Sequence, residues 1–199
     1  MTERGFRIDH TTVYRWVQTY APEIEKRCRP HLKLTNDSWR VDETYIKVKG
    51  KWKYLYRAVD SSGNTIDFLL SAKRDRRAAK RFLCKALKAT HACCVRVINT
   101  DENAAYPPAI DELKAVEILA QSVELRQNKY LNNIIEQDHR FIKKLVNPGL
   151  GFESFNTAIR TIIGYEIINS IRKGQILGVA KGDIPASIEF LSQLFGVAA

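Results

Sequence analysis

The segment from Trp39 to Ala72 alternates between apolar and polar positions with a period of two, which is typical of strands with one buried face. Three runs within it are rich in β-branched and aromatic residues, and short polar or glycine-containing turns separate them. The pattern therefore predicts three consecutive strands joined as an antiparallel meander, at residues 39–48, 53–60 and 65–72.

After residue 75 the apolar period becomes that of a helix, and helical and strand-like segments then alternate. Further strands are predicted at 94–100 and 115–119. Helices are predicted at 75–89, 103–113, 131–146, 153–173 and 185–196. This order predicts an α/β fold in which a mixed five-stranded sheet carries helices on both faces. It resembles the ribonuclease-H-like fold.

The N-terminal region has a different pattern. Residues 10–20 form an amphipathic helix with Val13, Trp16, Val17 and Tyr20 on its apolar face, and Asp9 or Thr11 can cap it. Gly5 and Phe6 fit the turn of a partial helix-turn-helix unit. The helix is then either a DNA-recognition helix or an amphipathic helix that docks on the core. Residues 21–38 are interpreted as a helical fragment followed by a linker.

The pattern predicts three regions: a helix-turn-helix remnant and linker at 1–35, a catalytic core at 36–175 and a helical tail at 176–199. The sequence contains neither a run of about 20 apolar residues nor an apolar leader, which favours a cytoplasmic protein without a membrane partner. The four cysteines form no CxxC pair, so reduced thiols are expected rather than a zinc site.

The distribution of charge says more about the partner of this protein than the overall composition does. The chain carries a net charge of +10, and its first hundred residues contain 22 basic against 10 acidic side chains. Lys and Arg side chains that meet phosphates release counterions, so a polyanion such as nucleic acid is the expected partner.

Two aspartates occupy positions that need an explanation. Asp42 interrupts a predicted strand, where aspartate is disfavoured, and Asp101 directly follows the apolar strand at 94–100. If the two strands are neighbours, Asp101 at the end of one lies beside the middle of the other, where Asp42 is, and two-metal phosphoryl transfer requires carboxylates that converge in this way. The alternatives are a solvent-facing Asp42 and a helix-capping Asp101. Glu102 is expected to point elsewhere, and Asp60 and Asp138 are interpreted as structural.

Glu136 is the third candidate acid, on the helix at 131–146. At 100° per residue one face of this helix combines an acid, an imidazole, an amide and two bases, namely Asn132, Glu136, His139, Arg140 and Lys143. The opposite, apolar side is expected to pack on the sheet and consists of Leu131, Ile134, Ile142 and Leu145. The alternative is an ordinary solvated helix face.

The spacing joins these acids into one motif. Asp101 and Glu136 are separated by 34 residues (102–135), and Lys143 follows seven residues after Glu136. Together with WRVDETYIKVKGKWKYLYRAVD, NTDENAAYPPAI, YLNNIIEQDHRFIK and the N-terminal DHTTVYRWVQTYAPEIEKR, this pattern resembles the insertion-sequence-six family of bacterial transposases, over essentially the whole chain.

That resemblance implies a DDE transposase with a retroviral-integrase-like core, which cleaves DNA at element ends and joins the 3′-hydroxyl to a target. It implies that Asp42, Asp101 and Glu136 are catalytic and hold two Mg²⁺ or Mn²⁺ ions, and that Lys143 positions DNA. The implied partners are terminal inverted repeats, target DNA and further copies of the chain, as a homodimer or higher oligomer, and the implied location is the bacterial nucleoid. Family members carry a longer N-terminal segment, so a shortened DNA-binding unit is expected here.

Further DNA contacts are expected from basic residues and from the N-terminal helix, namely Asn132, His139, Arg140, Lys49, Lys51, Arg77, Arg15 and Tyr14. The alternating lysines around Gly50 equally fit protection of a strand edge. Trp52 is expected in the core, and the alternative is a stacking platform for bases. Two rival functions stay open: a nuclease of the same fold, and a non-catalytic DNA-binding inhibitor of transposition.

Overall fold

The computed structural model describes residues 8–128 and 132–196. The chain forms two compact units, one from Leu32 to Phe152 and the other from the segments Met1–His31 and Glu153–Ala199. The helix after residue 153 packs on the N-terminal helix within the second unit. The functional boundaries expected from the sequence, with a catalytic core at 36–175, stay a prediction.

A five-stranded mixed sheet organises the first unit, in the order β3-β2-β1-β4-β5. Its strands are β1 (Ser38–Val48), β2 (Lys51–Asp60), β3 (Thr65–Ser71), β4 (Val97–Thr100) and β5 (Glu124–Gln127). The first three pair antiparallel as the predicted meander, whereas β4 pairs parallel with β1 and β5 parallel with β4. The prediction of a mixed five-stranded sheet is therefore confirmed.

The fifth strand was wrongly predicted at 115–119. That apolar segment follows the end of a helix, and Val116 and Ile118 are about half exposed. The actual β5 has the polar sequence ELRQ and lies at the edge of the sheet. β5 is held in the sheet by backbone pairing with β4. Its side chains do not alternate between apolar and polar, so the sequence contains no pattern that predicts this strand.

Helices α2 (Arg76–Leu87) and α3 (Tyr106–Ala115) share one large hydrophobic cluster with residues of the sheet. Asp75 caps α2 by accepting a hydrogen bond from the backbone N–H of Ala78 at 2.8 Å. Trp39, Tyr56 and Phe82 are fully buried in this cluster. Each such side chain contributes about 1.5–3 kcal/mol through burial, so this core fixes the α2 and α3 face of the sheet.

Helix α4 (Asn133–Val146) contacts β1 and β2. Its buried residues are Ile135, His139, Ile142 and Val146. The predicted packing face was therefore wrong by about one residue, since Ile134 and Leu145 are more than a third exposed. The predicted start at Leu131 lies outside the described residues.

A buried ion pair attaches α4 to the sheet. The Arg57 guanidinium on β2 has no solvent exposure, and its Nη2 lies 2.5 Å from the Asp138 carboxylate oxygen. Because an unpaired buried charge is costly, this contact fixes the rotation of α4 about its axis. That rotation decides which α4 side chains face the sheet and which face solvent.

The second unit contains α1 (His10–Cys28), α5 (Phe155–Arg172) and α6 (Ile184–Phe195). Helix α1 is longer than predicted because it continues through Pro22. Proline removes the N–H that would bond to the carbonyl four residues earlier, at Gln18, and Arg160 of α5 donates to that carbonyl at 3.3 Å. A hydrogen bond of 2.8 Å from Gln18 Nε2 to Thr161 also joins the two helices.

The apolar face predicted for α1 is only partly correct. Ala21 is buried, and its Cβ lies near Gly164 of α5, where a small residue lets the two helices approach closely. Trp16 and Tyr20 are about half exposed instead of packed. Gly5 and Phe6, which were predicted to form the turn, lie outside the described residues. In the described part of the chain, no helix has the length and apolar character needed to cross a bilayer.

We predict that Asp138→Ala lowers the free energy of unfolding by about 3 kcal/mol, because it leaves the Arg57 guanidinium buried without its carboxylate. Urea unfolding followed by circular dichroism measures this change. Gln137→Ala, at the adjacent exposed position, is the matched control and should change stability by less than about 0.5 kcal/mol. Equal effects of the two variants would contradict the proposed anchoring of α4.

Candidate active site

A step in the sheet creates the site. β4 pairs with β1 only from Ser38↔Val97 to Val41↔Thr100, and β1 then continues to Val48 without β4, still paired with β2 on its other edge. Asp42 and Asp101 are the next residues on these two parallel strands. The pairing register therefore places the two predicted acids side by side, at the carboxyl end of β4.

Helix α4 adds the third predicted acid. Asp42, Asp101 and Glu136 all line one open cleft of about 430 Å³. The remaining lining residues are Arg74, Glu102, Asn103 and Asn132. Residues from a strand, a strand end and a helix thus converge on one cavity, as the sequence predicted. Glu102 was expected to point elsewhere, but it lines the same cleft.

Asp42, Glu43 and Asp101 form the tightest acidic group among the described residues. One ligand oxygen from each lies within 4.8 Å of the others, a geometry that could hold a metal ion. Glu136 lies in the cleft but outside this group. Glu43 was not predicted, although its position beside Asp42 in a strand was a signal that could have been used.

Glu43 differs from its neighbour in its surroundings. Successive side chains of a strand point to opposite faces, so Glu43 faces the α3 side, and its side chain is 1% exposed. Its carboxylate accepts hydrogen bonds from the Tyr106 hydroxyl at 2.5 Å and from Asn103 Nδ2 at 2.6 Å, and it pairs with Arg74. These bonds occupy both oxygens, so Glu43 organises the wall of the cleft.

Arg74 joins two of the acids. Its Nε contacts Glu43, and its Nη2 lies 3.3 Å from an Asp101 oxygen. Asp101 also accepts from the backbone N–H of Asn103 at 3.2 Å. The Asp101 carboxylate is therefore oriented by the loop that leads into α3 and by a cation anchored on β1.

The electrostatics of the cleft favour a bound cation. Burial raises the pKa of Asp42 to about 7, and the negative charges of Glu43, Asp101 and Glu136 add to this effect. The backbone N–H of Glu43, 2.7 Å from an Asp42 oxygen, opposes it. Burial, and next the charge of Glu43, also raises the pKa of Asp101. Oxygen ligands crowded in this way fit Mg²⁺ or Mn²⁺, which would stabilise the ionised carboxylates.

The predicted polar face of α4 is divided by the structure. Asn132 and His139 are only 1% and 4% exposed, so His139 is not available to a DNA backbone as predicted. The reason is the rotation of α4 about its axis, which places His139 on the side that packs against the sheet. Glu136, Arg140 and Lys143 are exposed on the helix.

His139 is buried next to Asp42, with 3.7 Å between its Nδ1 and a carboxylate oxygen of Asp42. Burial lowers the pKa of His139 to about 3, and the charges of Arg57 and Lys143 contribute. The imidazole is therefore neutral at pH 7 and forms no ion pair with Asp42. Asn132 lines the cleft, and within the described residues its amide atoms have no hydrogen-bond partner.

The other predicted contact residues are exposed at separate places. Lys49 and Lys51 flank the turn between β1 and β2, and Arg77 lies on α2. Tyr14 and Arg15 are exposed on α1, in the other unit. Trp52 was wrongly predicted in the core, since it is 60% exposed.

The two additional acids are structural, in agreement with the prediction. Asp60 accepts hydrogen bonds from the backbone N–H groups of Ser62 and Asn64, both at 2.9 Å, in the turn after β2. Asp138 pairs with Arg57. Neither residue lines the cleft.

Comparison with known proteins gives consistent results. A family model described as a DDE domain matches residues 36–175. The transposase for insertion sequence-like element IS431mec of Staphylococcus aureus (strain Mu50 / ATCC 700699) is 39% identical over 173 residues, which cover 87% of this chain and 75% of that protein. The transposase for insertion sequence element IS257 in transposon Tn4003 of Staphylococcus aureus is 39% identical over 170 residues, which cover 85% and 73% respectively.

A solved structure shows the same fold. The catalytic core domain of BIV integrase in crystal form I matches with a TM-score of 0.51 at 12% identity, over 80% of this chain and 98% of that one. At this identity the likeness concerns the fold alone. It confirms the predicted integrase-like, ribonuclease-H-like core, whereas the helix-turn-helix part stays a prediction.

We predict that Asp42→Asn raises the melting temperature of the metal-free protein by about 5 °C at pH 8, and that the difference disappears near pH 4. The pKa of Asp42 is about 7 in the folded chain against 3.8 ordinarily, so the folded state favours the protonated form. The protonated Asp42 side chain therefore costs the folded state nothing at low pH, whereas the ionised side chain lowers the free energy of unfolding as the pH rises towards 7 and above. Asparagine carries no charge and avoids this loss.

Thermal melts in EDTA between pH 4 and pH 8 measure this difference. Asp111→Asn, at an exposed position on α3, is the control and should shift the melting temperature by less than about 1 °C at every pH. A destabilising effect of Asp42→Asn at pH 8 would show that the carboxylate is stabilised by its surroundings rather than repelled.

Proposed function

Because the chain belongs to the DDE family of insertion-sequence transposases, we propose that Asp42, Asp101 and Glu136 are its catalytic, metal-holding residues. The reaction is DNA strand cleavage at element ends followed by transfer of the freed 3′-hydroxyl to a target strand. The observation that carries the proposal is the convergence of these three acids on one cleft.

The donor set fits hard divalent cations, because every candidate ligand is a carboxylate oxygen. Two Mg²⁺ or Mn²⁺ ions in the cleft would activate the attacking oxygen and stabilise the leaving one. Asp42 and Asp101 supply ligands from adjacent strands, and Glu136 closes the cleft from α4. Arg74 and Asn103 hold Asp101 in place through the contacts described above.

The surroundings supply contacts for DNA. Lys143 lies seven residues after Glu136, which returns it to the same side of α4, and both side chains are exposed. Arg140 is exposed on the same helix, while Lys49, Lys51 and Arg77 are exposed on the hairpin and on α2. We assign phosphate contacts to these five residues. Base contacts to the inverted repeats are assigned to Tyr14 and Arg15 of α1.

An insertion sequence has two ends, so we propose that the chain acts as a homodimer or higher oligomer on DNA that carries terminal inverted repeats. Asn132 lies in the wall of the cleft and is buried, so we assign it a positioning role rather than a contact with DNA. His139 is a positioning residue, since it is buried and lies next to the carboxylate of Asp42.

We predict that Asp42→Asn, Asp101→Asn and Glu136→Gln each lower Mg²⁺-dependent cleavage and strand transfer by about a thousandfold or more, because both steps share one set of metal ligands. The measurement is single-turnover cleavage and joining of DNA that carries the element's ends. The three variants should still bind this DNA.

Glu102→Gln is the matched control, because Glu102 lines the same cleft beside Asp101 but is not one of the three acids. It should keep activity within about tenfold. Cleavage without joining in the wild type would favour a nuclease of this fold. Wild-type binding without cleavage would favour a non-catalytic inhibitor, and equal activity in wild type and Asp42→Asn would refute the proposed site.

We predict that Lys143→Ala weakens DNA binding similarly for all sequences and lowers the slope of log affinity against log salt by about one unit, because one phosphate contact is lost. Lys144→Ala removes an equally exposed lysine that lies about 100° further around α4. Fluorescence anisotropy at several salt concentrations should show little change for Lys144→Ala. Identical slopes for the two variants would argue against a specific role for Lys143.

A further inference from the structure

The β1–β2 hairpin exposes large aromatic side chains on one of its faces. Tyr45 is 48% exposed and Trp52 is 60% exposed. Cross-strand pairing joins Tyr45 with Tyr54 and Lys47 with Trp52, so these four side chains share one face. We call this set the aromatic hairpin face.

The aromatic hairpin face is ordered by contacts among its own members. The ring centroids of Tyr45 and Trp52 are 6.4 Å apart in an edge-to-face arrangement, and those of Tyr45 and Tyr54 are 5.4 Å apart. The Lys47 ammonium lies 6.0 Å from the centre of the Trp52 ring. Edge-to-face packing leaves flat ring surface available to a further aromatic group.

The exposure of large apolar side chains on the hairpin is confined to this face. On the opposite face, Thr44, Ile46 and Val48 are buried, and Val48 forms a β-bridge with Phe152. The hairpin therefore has a covered side that stabilises it. Its open side carries two large aromatic side chains that gain little from folding, and side chains of this kind mark interaction surfaces.

The aromatic hairpin face approaches the catalytic cleft from the Glu43 side of the sheet. Tyr45 lies two residues after Glu43 on the same side of β1, a distance of about 7 Å along the strand. Glu43 pairs with Arg74, which lines the cleft. Asp42 is about 10 Å from Tyr45 along the strand, which corresponds to about three base-pair steps of B-DNA, and its side chain points to the opposite face of β1.

Two basic side chains lie on or next to the aromatic hairpin face. Lys47 belongs to the face, and Arg81 of α2 donates to the Ser71 hydroxyl at 3.2 Å, where Ser71 is the cross-strand partner of Tyr54. A surface that combines aromatic rings with Lys and Arg fits a nucleic acid strand, because bases stack on the rings while the cations meet phosphates. A basic surface of this kind is less suited to a second copy of this chain, which is itself strongly basic.

We propose that Tyr45 and Trp52 form a stacking platform for an unpaired DNA base close to the phosphate held in the cleft, with Lys47 and Arg81 contacting the adjacent phosphates. Bases inside a duplex are already stacked on each other, so the platform selects a strand that is unpaired next to the reacting position. This assignment rests on the proposed function, because it places the platform beside a DNA-cleaving site.

The test compares two DNA probes in EDTA, where no strand is cut. One is a fork with a short unpaired strand that carries 2-aminopurine at successive positions, and the other is a fully paired duplex. Trp52→Ala and Tyr45→Ala should weaken binding to the fork about tenfold or more and binding to the duplex by less than about twofold. Wild type should quench 2-aminopurine at one or two adjacent positions, and Trp52→Ala should abolish this quenching.

Two variants serve as controls. Trp52→Phe keeps an aromatic ring and should retain the quenching, whereas Tyr20→Ala removes an equally exposed aromatic residue from α1 and should leave it unchanged. Equal weakening on both probes, no weakening on either, or a loss of self-association in Trp52→Ala would overturn the platform. These readouts need no cleavage, so failure of the platform is distinct from failure of the three acids.

Discussion

The parallel pairing of β4 with β1, and the point at which it stops, is the constraint on which the site depends. The ladder ends at Val41↔Thr100, and the residue that follows in each segment is an aspartate. The pairing register alone therefore places Asp42 next to Asp101. β1 then continues past the end of β4 and provides one wall of the cleft. Burial raises the pKa of Asp42 there, and the negative charges of Glu43, Asp101 and Glu136 add to that effect.

The third acid reaches the cleft through a different kind of contact. Helix α4 is connected to β5 through residues that include the undescribed segment 129–131, and it is attached to the sheet by Ile135, Ile142 and the buried Arg57–Asp138 pair. These contacts fix both the position and the rotation of α4. Glu136 is thereby turned to the cleft, while His139, three residues later, is buried against Asp42.

Sequence alone predicted the meander, the position of Asp101 directly after β4 and the convergence of three acids on one cleft, because these depend on local periodicity and on a spacing specific to one family. It failed where tertiary contacts decide the outcome. The polar β5 is defined by its pairing partner, and Pro22 is tolerated within α1 because Arg160 satisfies the freed carbonyl. Glu43 is held by Tyr106, which lies far away in the sequence, and His139 is buried because α4 packs on the sheet along that side.

If carboxylates from three elements share divalent metal ions, anomalous diffraction from a crystal containing Mn²⁺ should locate those ions in the cleft. We expect a peak about 2.1 Å from oxygens of both Asp42 and Asp101, with Glu136 bound to that ion or to a second one about 4 Å away. Mn²⁺ held elsewhere, or Glu136 turned away from an occupied cleft, would contradict it.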